Sequence, residues 1–231
     1  MTASLYPSHH RQFNLIGAGI ALLITLALCS AQTQAQTSTE SSCGDPFRNH
    51  FGPWDYRTAR KQDIDIVERN HFTPGIETLT KPVNTMMNDM AQDVAYTLGV
   101  FPNHHRALLV MVRLAEKYRT DPPAGTKITI NCWFDRAVRF RPEDTVVRSI
   151  YAQYLGKQRR KDEAIQHLNF ALQLSNENPI SQYTIGTVFL ELGEFDRALS
   201  LAHKSRAMGV QWPELEISLR ASGHWKDPEK P

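Results

Sequence analysis

The feature that most limits what this chain can fold into is a self-match at an offset of 34 residues. Ile150-Tyr151-Ala152 and Lys161-Asp162-Glu163-Ala164-Ile165 are answered 34 positions later by Thr184-Ile185-Gly186 and Phe195-Asp196-Arg197-Ala198-Leu199. Small residues recur at two fixed places with large apolar residues between them. A repeat of this period implies a unit too small to bury its apolar face alone, which must stack on like neighbours.

A diverged earlier copy precedes these two. Arg106, Leu109 and Val110-Met111-Val112 align with Val146, Ser149 and Ile150-Tyr151-Ala152 at an offset of 40. The six extra residues fit the linker 119–126, where Pro122-Pro123 forbids a helix. Units are therefore expected at about 103–142, 143–178 and 179–210, inside a helical region spanning 83–222. Met86, Met87, Met90, Val94, Leu98 and Phe101 form a helical stripe in front of them, closed by Pro102. After Met208-Gly209, Trp212-Pro213 opens an amphipathic segment with Leu215, Ile217 and Leu219 that reads as a capping helix, and 223–231 reads as a flexible tail.

The period, the small residues Ala152, Gly186, Ala164 and Ala198, and the fillers Leu155, Phe189 and Leu168 resemble the tetratricopeptide repeat. The resemblance implies an all-α solenoid of about three helical hairpins, whose first helices line a concave groove. Position by position it points into that groove at Arg106, Leu109, Arg113 and Lys117; at Val146, Ser149, Gln153 and Lys157; and at Ile180, Tyr183 and Thr187. Four of these eleven are cationic and none is acidic, so the implied partner is a protein segment, acidic or with a free C-terminus. The carboxylate clamp of chaperone-binding members is not reproduced, because Leu109, Ile180 and Thr184 stand where polar or cationic residues are needed. Gly52-Pro53-Trp54-Asp55-Tyr56 and Phe101-Pro102-Asn103-His104-His105 look like elements of exported proteobacterial repeat proteins, a likeness that carries no activity with it.

The N-terminus addresses location. Arg11 precedes the uncharged run Leu15 to Leu28, followed by small and polar residues with Ala31 and Ala35 at candidate cleavage sites. Residues 1–35 read as a secretory signal peptide, with periplasmic or secreted localisation. A retained membrane anchor is the alternative, though the run is short for a span, and a lipid anchor on Cys29 is disfavoured by Leu28 before it. Removing 1–35, whose one charged side chain is Arg11, changes the net charge from +2 to +2 − 1 = +1. That balance gives no support to a nucleic-acid partner.

In an oxidising compartment Cys43 and Cys132 form an even pair, and a bridge would close a loop of 132 − 43 = 89 positions. The other reading makes Cys132 a buried small residue and Cys43 a free thiol. Residues 36–82 read as a polar leader followed by an aromatic-rich arm. From Cys43 to Arg57 the arm has no helical or strand period, so Phe47, Phe51, Trp54 and Tyr56 must pack on something else, as a cap over the first helices or along the groove. Lys61 to Asn70 reads as one short helix or an extended edge, and Thr73-Pro74-Gly75 starts a short helix through Leu79.

Chemistry-bearing patterns are few. There is no Gly-x-Ser-x-Gly elbow, glycine-rich phosphate loop, His-x-x-x-His or Cys-x-x-Cys pair, so no catalytic residue, metal ligand or cofactor is assigned. Adjacent His104 and His105 point about 100 degrees apart on a helix and do not readily share a metal. With Asn103 as N-cap, they read as first-turn residues. The rival to a binding scaffold is a metal- or small-molecule-binding protein, possibly an enzyme, that brings His50, His71 and His104 together between arm and solenoid.

Overall fold

A computed structural model of the chain describes residues 43–80, 87–175 and 177–228, and of 87–89 the backbone alone. The expected signal peptide 1–35, the leader 36–42 and the expected start of the helical region near Val83 lie outside the described residues. Among them the fold is all-α, with ten helices and no strand. These are α1 (Lys61–His71), α2 (Pro74–Glu77), α3 (Met87–Val100), α4 (His105–Tyr118), α5 (Ile130–Phe140), α6 (Thr145–Lys157), α7 (Lys161–Leu174), α8 (Pro179–Glu191), α9 (Phe195–Ala207) and α10 (Glu214–Ala221). No helix among the described residues is long and apolar enough to cross a membrane.

Local chemistry sets the helix ends. Asp144 caps α6 by accepting from the Val146 and Val147 N–H groups, Asn178 caps α8 ahead of Pro179, and Thr129 caps α5. The turns of the hairpins α6–α7 and α8–α9 match at the 34-residue offset. Arg159 and Gly193 both take a left-handed φ, at 62° and 75°. Arg160 N–H then reaches Leu155 O as Glu194 N–H reaches Phe189 O, each at 2.9 Å. The linker before α5 is tied down by Asp121, whose carboxylate accepts from Ile130 N–H.

One apolar core runs through the helices from Phe72 to Leu219. Ala152, Ala164, Ala171 and Ala198 have no exposed surface, nor do Leu155 and Leu168. A Cβ on Gly186 would lie 3.1 Å from Leu201 Cβ and 3.0 Å from Leu215 Cδ2, so the approach of α8 to α9 and α10 leaves little room for one. Beyond α10, His224 stacks on Phe195 at 3.7 Å and Trp225 packs on His203, so this part of the expected flexible tail lies against α9.

The arm is irregular and caps the N-terminal helices. Phe51 and Trp54 pack around Val67, Val100 and Phe101 in a second, smaller core. Trp54 N–H donates to Val100 O at 2.9 Å, and Gly52, at φ 86°, passes so close that a Cβ would sit 2.8 Å from that same oxygen. Cys43 and Cys132 stand at disulfide distance, with sulfurs 1.99 Å apart, which fastens the start of the arm to α5. Arg136 and Arg139 add hydrogen bonds to the carbonyls of Cys43, Gly44 and Asp45.

Two stability predictions follow from this packing. Ala198→Leu forces three extra carbons between α8 and α9 and is expected to cost about 1–3 kcal/mol, read as a lower melting temperature. Unchanged melting would contradict the close approach. His167 is half-buried, and burial, with the Arg148 guanidinium 3.3 Å from its Nδ1, pushes its pKa down to about 4. The unfolded chain therefore binds the proton more readily, so stability is full above about pH 6.5 and falls as pH drops toward 4. His167→Gln should flatten that part of the melting-temperature profile; a slope identical to the parent's would refute the assignment.

Candidate functional site

Two regions gather the residues that the sequence singles out, and they differ in how much of their hydrogen-bonding capacity is left for a ligand. The first is a polar node where the arm meets the helix starts. Asn103 is fully buried, and its amide nitrogen donates to Asp55 Oδ1 at 2.8 Å and to Asp144 Oδ2 at 2.9 Å while its oxygen accepts from Tyr56 N–H. Asp55 also accepts from Arg57 and Arg141. Burial alone would raise the Asp55 pKa, but Arg57, Asn103 and Arg141 together hold it well below the carboxylate range. Asp144 takes further donors from His105 Nε2 at 2.9 Å and from its two capped amides, and it too is held low against burial. His105 and Asp144 have the pairing of a general-base dyad. With four groups donating to it, however, that carboxylate already acts as a structural tie.

His104 extends the node. Its Nδ1 accepts from Ala107 N–H, so it is His104, and not Asn103 as expected, that caps α4. Its Nε2 is then left to donate to Glu68 at 3.1 Å. Protonation would require a hydrogen on both nitrogens, and burial lowers the imidazole pKa against the opposing pull of Glu68. Glu68 is held down at about 2, first by His104 and then by Arg106 and Tyr56, against its own burial. The Tyr56 ring stacks on His104 at 3.9 Å. His104, expected in the first turn, thus stands one place before it as the cap, and it is fully buried under the arm.

The second region is the face of α4, α6 and α8 that carries the eleven expected groove residues. Its four cations are all engaged within the chain. Arg106 pairs with Glu68 at 2.6 Å and Glu77 at 2.8 Å, Arg113 donates to Glu77 O, Lys117 donates to Leu79 O at 3.4 Å, and Lys157 pairs with Glu116 at 2.9 Å. The segment 72–79, rather than the ring-rich 43–57, thus lies across α4. Ser149 is nearly buried and donates to Thr145 O. Leu109, Val146 and Ile180 remain exposed.

Between α6 and α8 the face stays open as a depression of about 210 Å³, to which Ser149, Gln153, Tyr183 and Thr187 contribute. Ile150, Thr184, Val188, Glu191 and Trp212 line it as well and were not among the expected residues. Glu191 was within reach of sequence reasoning, since it follows Lys157 by 34 positions. Trp212 was not, because it comes from beyond the repeat. Its ring meets Tyr183 edge-on at 5.1 Å, and the Tyr183 hydroxyl donates to Glu214 and accepts from Leu215 N–H. Thr184 and Thr187 donate back to their own helix, at Ile180 O and Tyr183 O. Gln153 donates to both oxygens of Glu191.

The three histidines of the rival reading do not form one cluster. His71 bonds Asp93 at 2.9 Å and lies on the Tyr96 ring, which His50 meets at its edge, whereas His104 turns to Glu68. Among the described residues no group of three or more His, Cys, Asp or Glu side chains is placed to hold a metal ion. No protein-family model, curated protein or solved structure matches the chain.

If the node fastens the arm, Asn103→Ala leaves two buried carboxylates short of a donor and should cost about 3 kcal/mol in denaturant unfolding, with Arg57→Ala costing less because Arg57 is one-third exposed. A cost below about 1 kcal/mol for Asn103→Ala would remove the node from the account.

Proposed function

We propose that this protein is a tetratricopeptide-type adaptor, with three helical hairpins at about 103–142, 143–178 and 179–210, that captures a segment of another protein on its concave face. The observation that carries this reading is the open depression between α6 and α8, where Trp212 is half exposed against the Tyr183 ring and Ile150 and Val188 supply aliphatic lining. Exposed aromatic and aliphatic side chains in a concavity are the usual anchors of protein recognition. The matching left-handed turns at Arg159 and Gly193 support the repeat assignment. Export through the signal peptide 1–35 belongs to the same proposal, supported by the disulfide-distance pair Cys43 and Cys132. The engagement of Arg106, Arg113, Lys117 and Lys157 by the chain's own groups moves the binding region away from α4.

The test is site-specific photo-crosslinking in intact cells from Gln153 and Thr184, with Glu194 on α9 as control. The expected result is one shared captured species from both groove positions, absent from the control and reduced about tenfold by Trp212→Ala. Capture that is the same from Glu194, or indifferent to Trp212→Ala, would overturn the reading.

A further inference from the structure

The charge around the depression identifies its ligand more closely than the sequence does. On α4 the strap 72–79 already occupies the groove. Ile76 is buried, Phe72 lies beneath the Arg106 guanidinium at 5.4 Å, and the carbonyls of Glu77 and Leu79 receive Arg113 and Lys117. Those donors reach main-chain oxygens as they would on a bound peptide. An incoming segment therefore finds its way along α4 closed and its cations taken. It is left with the stretch between α6, α8 and Trp212.

That stretch holds no cation among its lining residues, and Glu191 is its one charged side chain. The carboxylate of Glu191 is exposed and is met by the neutral amide of Gln153. The threonine hydroxyl hydrogens point back into α8, which leaves acceptor lone pairs toward the depression. An acidic segment would meet like charge at Glu191 and hydroxyl acceptors at the threonines, with the Gln153 amide already given to Glu191. A Lys or Arg would meet a carboxylate with no cationic partner among the described residues.

We propose that the depression takes a short extended peptide with one bulky apolar side chain against Tyr183 and Trp212 and a Lys or Arg at Glu191. This rests on the peptide-capture reading above and reverses the ligand charge expected from the sequence. Tyr183 and Glu191 are eight residues apart on one helix, roughly 12 Å at 1.5 Å per residue. An extended chain advances roughly 3.4 Å per residue, so the two anchors should fall about two to four positions apart, allowing for the length of the basic side chain.

The experiment is selection of a displayed library of random twelve-residue peptides on the full chain, repeated on Thr184→Trp, Trp212→Ala and Glu191→Lys after each variant is shown to melt as the parent does. Parent-selected peptides should carry an apolar residue and a Lys or Arg at that spacing. They should bind Thr184→Trp and Trp212→Ala at least about tenfold more weakly and Glu191→Lys roughly five- to tenfold more weakly, and selection on Glu191→Lys should favour Asp or Glu at the basic position. Peptides blocked by Thr184→Trp or Trp212→Ala but acidic in that position, or indifferent to Glu191→Lys, would overturn the ligand class and leave the groove standing. If neither Thr184→Trp nor Trp212→Ala weakens any selected peptide, or nothing is enriched, the groove reading fails and this inference fails with it.

Discussion

The arrangement of the N-terminal half depends on one buried amide. Asp55 and Asp144 lie close together and almost without solvent, an arrangement that would repel strongly if nothing stood between them. Asn103 donates to both, and Arg57, Arg141 and His105 supply the balancing donors from three separate stretches of chain. Tyr56 N–H completes the amide by donating to its oxygen. In this way an irregular arm with no helical or strand period acquires a fixed place, and the start of α6 is capped by a group that also holds the arm. A neutral side chain of any other shape would leave at least one of these carboxylates short of a partner.

From that anchor the path of the next segment follows. With Tyr56 stacked on His104 and Glu68 bound to His104 and Arg106, α1 is held beside the N-terminus of α4, and the chain after it has α4 as its nearest surface. Ile76 and Phe72 then bury themselves, and Glu77 and Leu79 present carbonyls to Arg113 and Lys117. The same side chains that a repeat pattern marks as ligand contacts become internal struts. Beyond the strap, Val146 on α6 and Ile180 on α8 stay exposed among the described residues.

Much of the helical scaffold was legible in the sequence, and the reason is that its determinants are local. Pro102, Pro122-Pro123 and Gly209 mark helix boundaries within a few residues of where they act. Ala152, Gly186, Ala164 and Ala198 mark close helix approaches at a fixed period. Non-local partners were what the pattern could not convey. Asn103 looked like a cap because Asn often is one, but Tyr56 N–H, 47 positions earlier, takes its side-chain oxygen and His104 caps in its place. Arg106, Arg113 and Lys117 looked free because their partners come from residues 68–79, which carry no repeat signature. Trp212 joined the groove through a chain reversal after Gly209, which sits at φ 101°. The candidate site was therefore legible in its helices, whereas the engagement of its four cations within the chain was not.

The two ends of the stack differ in how the chain is closed upon itself. At the N-terminal end, contacts bridge 89 residues between Cys43 and Cys132 and 48 between Asp55 and Asn103. At the C-terminal end, α8, α9 and α10 touch partners only a few tens of residues away. Opening is expected to begin where the fewest long-range ties hold the chain. Amide hydrogen exchange should thus run as a gradient, quickest in α10 and slowing toward α4.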